Sequence, residues 1–386
     1  MLSRGPVRMG FRFKKKENFD AGFHRIADEQ IARALADWAR KDRAVAVHET
    51  RKCLKRLRSL LRLVRPALSP RDYKKENANL RDIARELSTS RDAQVMRETI
   101  ELLRQEAGPA EQEALDSLSD QVAIVHSHVN SNDQGPDAEH TAAALRKAGQ
   151  RLKKLSVKGQ DFEVVSPGFQ STYRQGRKAM AKMQVEYDEE ASHEWRKRVQ
   201  AHWRQLTLLS GAWPEFFESR IALARRLSDV LGQDHDLAVL LAFAQGPASE
   251  ALGEDGLSSV SQLIKKRQKE LGEQALRDGE FLYADRPGGL NDRVRSYWAI
   301  AAKRPKTEVV PYRPSKPEPE TDASEPAGAA SADHAPAAQP RVAAPTKSQA
   351  PNKPVRRQTM AKKAVTRTVP MRKPKAIVAR QAPIKT

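Results

Sequence analysis

Cysteine occurs once in the 386 residues, as Cys53. One thiol cannot build an internal disulfide framework, so a reducing compartment is expected and the cytoplasm is the expected location. No run of about 18 apolar residues occurs, which argues against a membrane-spanning helix. The basic N-terminus is not followed by an apolar stretch, so no secretory signal is expected. Aromatic residues are 5% of the chain, with neither a base-stacking platform nor a zinc spacing among them. A glycine-rich phosphate loop, an Arg-His-Gly stretch and a carboxylate cluster suited to magnesium are all missing. His235-Asp236 has the form of a metal-binding pair, but such a site needs further ligands on neighbouring helices. His126 and His128 are two apart on a helix and diverge rather than chelate. These absences point to a binding protein without catalytic residues, metal or cofactor. His202 falls on an oily helix face and reads as a core histidine with a hydrogen-bond partner. The five tryptophans, Trp38, Trp195, Trp203, Trp213 and Trp298, read as packing residues.

What the chain has in excess is positive charge. The net formal charge is +20, which suits a polyanion such as nucleic acid, polyphosphate or an acidic membrane surface. The charge is unevenly placed. Residues 303–386 hold 18 Lys/Arg and 6 Asp/Glu, a net +12, which leaves +8 for the rest. This segment is rich in Pro, Ala, Ser and Thr and cannot bury enough apolar area to offset chain entropy, so it reads as a disordered tail. Arg341 to Thr386 carries 13 Lys/Arg and no acid, the composition of an arm that contacts nucleic-acid backbones without sequence preference.

The stretch from Val47 to Pro66 concentrates the charge in one element, with seven Arg or Lys and one His among leucines. At about 100° per residue, Arg51, Lys52, Lys55, Arg58 and Arg62 fall on the His48 side of a helix. Cys53, Leu54, Leu57, Leu60, Leu61 and Val64 gather opposite. Pro66 ends the helix, since it lacks the N–H that would continue the ladder. Like charges three and four apart repel by about 0.2–0.5 kcal/mol per pair, and almost no acid relieves them here. The face is either a solvated surface or an anion site.

Before Arg304 the periodicity is helical nearly throughout, so an all-α bundle is expected over residues 11–300. Candidate breaks are Gly108-Pro109, Gly135-Pro136, Ser166-Pro167-Gly168, Trp213-Pro214 and Gly246-Pro247. The second half echoes the first. "HETRKCLKRLR" from His48 returns as "HEWRKRVQAHWR" from His193, and "RDIARELSTSRDAQVM" from Arg81 as "RRLSDVLGQDHDLAVL" from Arg225. Order and spacing are both kept, at offsets of 145 and 144. Two similar helical halves, about 11–150 and 151–300, are therefore expected to face each other. His193, Arg196, Lys197, Gln200 and Arg204 share one face of the second copy. Arg81, Arg85 and Ser88 share a face in the first, with Arg225 as the counterpart of Arg81. Ser90 and Asp234 read as helix N-caps, with Asp92 and Asp236 in the first turns.

The duplicated H-x-x-R-K at His48 and His193 carries a family resemblance, as do R-D-x-x-V at Arg91, H-D-x-x-V at His235 and "YRQGRKAM" at Tyr173. The chain resembles the CHAD domain, the conserved histidine α-helical domain, from about Phe11 to Trp298. The resemblance implies two pseudo-symmetric four-helix bundles whose basic faces line a central cavity, binding of inorganic polyphosphate and location at polyphosphate granules. It implies phosphate contacts for His48, Arg51, Lys52, Lys55, Arg58, Arg62, His193, Arg196, Lys197 and Arg204, with Arg81, Arg85 and Arg225 as further lining. Tyr173, Arg177 and Lys178 match the middle motif. Gln200, Ala201 and Trp203 stand where the first copy has Lys55, Arg56 and Arg58, so the second row is expected to be the weaker one. The alternatives are a nucleic-acid binder working through the tail, and a hydrolase using His235-Asp236 or His48. Histidines amid so many cations are expected to have depressed pKa values until phosphate arrives.

Overall fold

The computed structural model describes residues 10–87, 92–132, 137–185 and 187–303, of which the side chains of residues 92 and 126–132 are not described. Ser88, Ser90, Arg91, the His126 and His128 side chains and the tail from Arg304 lie outside the described residues. The chain divides into Met1–Val310 and Pro311–Thr386, and every described residue belongs to the first unit.

Among the described residues there are eleven α-helices, two short 3-10 turns and no strand. The first six helices are α1 (Phe19–Trp38), α2 (Arg43–Val64), α3 (Pro70–Glu86), α4 (Asp92–Arg104), α5 (Pro109–Asn132) and α6 (Ala138–Leu152). The remaining five are α7 (Ser166–Val185), α8 (Glu189–Leu209), α9 (Pro214–Gln245), α10 (Ser249–Leu282) and α11 (Pro287–Lys303). None of them is long and apolar enough to cross a membrane.

Local chemistry sets the ends. Asn18, Asp42, Ser69, Asp137 and Asp188 each accept a backbone N–H from the first turn that follows, which supplies a donor-rich helix end with its missing acceptor. Pro70 and Pro214 sit in first turns, where a missing N–H costs nothing. The breaks expected at Gly108-Pro109, Trp213-Pro214 and Gly246-Pro247 fall between helices, and Ser166-Pro167-Gly168 opens α7. Residues 133–136, with Gly135-Pro136, lie outside the described residues. A further interruption, at Gly253 (φ 62°) inside α10, carries no proline and went unanticipated.

Helices α1, α2, α3 and α6 pack on one another, as do α7 with α8 and α11, α8 with α9, and α9 with α10. The two groups are not separate bodies. Helix α2 packs on α8, α4 on α9, and α5 on α10, and one continuous apolar core runs through all of them. The leucine face of α2 lies wholly in that core, Cys53 included. Helix α7 begins against the end of α2 so closely that a Cβ on Gly168 would stand 1.9 Å from the Leu63 carbonyl oxygen. Only glycine allows this approach.

One reading of the sequence fails in the second half. Asp234 is not an N-cap, because α9 runs unbroken from Pro214 to Gln245. Its carboxylate is 2% exposed and accepts from the hydroxyls of Tyr187, at 2.7 Å, and Ser192. Gln268 Nε2 donates to Tyr187 Oη at 3.0 Å, which ties α9, α10 and the start of α8 together. Burial and the Asp234 carboxylate raise the Tyr187 pKa and keep the phenol protonated. His202 is buried as expected, but no protein group hydrogen-bonds either ring nitrogen. It packs between Phe169 and Tyr173, and burial drives its pKa down to about 3, so it stays neutral. Trp38, Trp195 and Trp298 are core residues, whereas Trp213 is 44% exposed and stacks with Phe216.

A basic cleft between two helix rows

The wet faces of α2 and α8 meet over a cleft of about 670 Å³. Helix α2 supplies Arg51, Lys55, Arg58 and Arg62, and α8 supplies His193, Arg196, Lys197, Arg198 and Arg204. Arg81 of α3 and His235 and Asp236 of α9 complete the charged lining. Nine Arg or Lys side chains thus face two carboxylates, Glu194 and Asp236.

Several of these cations are held away from water. Arg58 donates Nε to Asn77 Oδ1 at 3.2 Å, and burial, followed by the neighbouring Arg62 charge, lowers its pKa. Burial likewise lowers Arg62, with Arg198 adding repulsion and Tyr73 opposing it. Arg204 is the extreme case. It is 7% exposed, donates Nη1 to the Gln200 carbonyl at 2.7 Å, and lies 4.2 Å from the Trp203 ring centroid. Its Nε has no hydrogen-bond partner. Burial, followed by repulsion from Arg56, Arg225 and Arg62, brings its pKa down to about 9. Such a cation is stabilised when an anion arrives.

His193 and His235 form a tilted ring pair at the cleft wall. Burial first, then His235, Lys197 and Arg196, bring the His193 pKa down to about 4. The expected direction holds, but loss of water is the leading cause and the cations come second. His235 is lowered as well, by burial and then by Arg196. Among the described residues no group of three or more His, Cys, Asp or Glu is placed to hold a metal.

Nine of the residues expected from the sequence line the cleft: Arg51, Lys55, Arg58, Arg62, Arg81, His193, Arg196, Lys197 and Arg204. The other five lie outside its lining. His48 sits 4.0 Å from Glu49, which also accepts from Lys52 Nζ at 2.7 Å. Arg85 is exposed at the end of α3. Arg225 lies over the Trp203 ring at 4.8 Å. Arg177 donates to the Asp285 carbonyl at 3.2 Å, beside Tyr173, which is fully buried and donates to the Leu282 and Asp285 carbonyls. The middle motif thus anchors α7 to the α10–α11 turn. Arg198, Glu194 and Asp236 were missed as cleft residues. Arg198 lies off the strict helical face counted from His193, and only the position of α2 opposite brings it to the wall.

The sequence model of the CHAD domain matches residues 25–245, more than half of the chain. The chain belongs to the CHAD domain family. The CHAD match covers both cation rows, from α2 through α8, and the His235-Asp236 pair. No curated protein matches the chain.

Proposed function

We propose that this CHAD protein binds inorganic polyphosphate in the cleft between α2 and α8, without catalysing a reaction on it. The observation that carries the reading is the convergence of two helix rows on one cleft, with nine Arg or Lys against two carboxylates. Polyphosphate has about one negative charge per unit and no bases, so rows of charge and donors on a rigid wall suffice to recognise it. Arginine offers a planar fork to two phosphate oxygens and lysine a mobile point charge. The chain is read as a duplication, with α3 and α4 corresponding to the single long α9 and the cleft lying between the copies. The packing of α2 on α8 and of α5 on α10 supports this. Through this binding the protein would be carried to polyphosphate granules in the cytoplasm, with the tail as a second contact for polyanions, nucleic acid included.

The test is affinity for long polyphosphate, duplex DNA and RNA at several salt concentrations. It compares the full chain, a full chain with the cleft reversed in charge, and a peptide of residues 304–386. Cleft-dependent binding that prefers polyphosphate and weakens steeply with salt is expected. If the peptide accounts for all the affinity, the cleft reading is wrong, and if that tail-borne affinity also prefers DNA or RNA, the protein is a nucleic-acid binder working through its tail.

A further inference from the structure

Glu194 stands out in the cleft because its charge opposes the site. Its carboxylate accepts from Lys197 Nζ at 2.7 Å and from Arg198 Nη2 at 3.2 Å. Those hydrogen bonds, Lys197 first, hold the Glu194 pKa below the usual carboxylate range, so the group is ionised wherever the cleft could work. The side chain is 41% exposed, so packing does not lock it in place. Helical spacing explains the contacts, since Glu194 lies three and four residues before its partners on α8. The first copy repeats the device, with Glu49 accepting from Lys52 three residues on, but Glu49 and Lys52 lie outside the cleft lining. In the second row the acid and both its partners line the cleft.

We propose that Glu194 is a resident counter-ion of the cleft: it occupies Lys197 and Arg198 in place of a small anion until a condensed phosphate chain displaces it, and so sets the affinity and salt sensitivity of the site. The inference rests on the reading of the cleft as a polyphosphate site. Free cations in a basic cleft gather small anions from solution, and their release on binding makes affinity fall with salt. A tethered carboxylate cannot be released. Cations that it neutralises therefore contribute less to the salt dependence, and its displacement costs the ion pairs it made. The pairs are partly exposed and individually weak, so a chain that engages the whole cleft breaks them readily, and one carboxylate shifts the affinity without abolishing it.

The experiment uses the full chain and long-chain polyphosphate, with the dissociation constant measured across a series of salt concentrations. The variants are Glu194→Gln, Glu139→Gln and Arg196→Glu. Glu139 pairs with Arg146 on an exposed face of α6, so it reproduces the change in net charge away from the cleft. For Glu194→Gln the expected result is about tenfold tighter binding at low salt and a log–log salt slope steeper by about one. The gain shrinks as salt rises, and Glu139→Gln leaves the slope unchanged. An unchanged slope with unchanged or weaker affinity overturns the proposal, because Glu194 then only positions Lys197 and Arg198. If the wild type binds and Arg196→Glu does not, while Glu194→Gln matches Glu139→Gln, the polyphosphate reading stands and this inference falls. A wild type without measurable affinity removes both.

Discussion

The imidazole rings of His193 and His235 lie with centroids 4.4 Å apart and planes tilted by 33°, one carried by α8 and the other by α9. Neither Nδ1 has a hydrogen-bond partner. Two rings this close disfavour a second positive charge, and both stand at the wall of a cleft already lined with cations.

This arrangement should make polyphosphate binding pH-linked. Against protonation of His193 stand burial, His235, Lys197 and Arg196, and for it Glu194. For His235, burial and Arg196 oppose it, while Asp236, Glu189 and Asp234 favour it. With His193 depressed to about 4 in the empty protein, a bound phosphate raises the value and a proton is taken up. Affinity for polyphosphate should therefore rise as pH falls from about 8 to about 6. Calorimetry in buffers of different ionisation enthalpy reads the proton uptake, and His193→Gln should diminish it. The empty protein behaves oppositely. The unfolded chain binds more protons than the folded one between about 4 and the ordinary histidine value of 6.5, so the His193 contribution to stability is complete above 6.5 and is lost as pH falls toward 4.

Arg51→Glu and Arg196→Glu should each weaken polyphosphate binding by about tenfold or more, close to 1.4 kcal/mol. The double variant should depart from additivity if one chain touches both rows. Lys41→Glu is the better surface control, since Arg40 is engaged with Asp37 at 2.6 Å. Arg51 has a structural contact that helical phase alone did not anticipate: Nη1 donates to the Leu87 carbonyl at 2.9 Å. Its reversal should cost about 0.5–1.5 kcal/mol of stability, which urea denaturation resolves from the binding loss.

Arg204→Met should separate stability from function. The wild-type guanidinium is buried, and Arg56, Arg225 and Arg62 repel its charge. A methionine of similar length removes the desolvation cost, so the empty protein should gain about 1 kcal/mol while polyphosphate affinity falls. Thermal unfolding without ligand and a binding titration measure the two effects. A variant less stable than wild type would show that the Gln200 and Trp203 contacts outweigh desolvation.

Asp234→Ala should destabilise the protein by about 2–3 kcal/mol, because buried hydroxyls of Tyr187 and Ser192 would lose their acceptor. A lost N-cap would cost about 1 kcal/mol. Chemical denaturation distinguishes the two, and far-UV circular dichroism should show α9 intact.

Much of this fold was legible in the chain, because an amphipathic helix is a local property. Leu54, Leu57, Leu60 and Leu61 were assigned to the core by phase alone, and all are buried. Phase also separates the basic rows on α2 and α8 from the apolar faces of those helices. Phase places a side chain on an arc of its own helix, but which part of that arc meets another helix depends on crossing and depth. Tertiary packing alone therefore left His48 and Lys52 at the edge with Glu49, turned Arg177 toward the Asp285 carbonyl, and brought Arg198 and Glu194 into the cleft. Asp234 shows the same limit. Its chemistry suits an N-cap, but the hydroxyls of Tyr187 and Ser192, 47 and 42 residues earlier in the chain, supply its donors from outside the helix and let α9 continue through it.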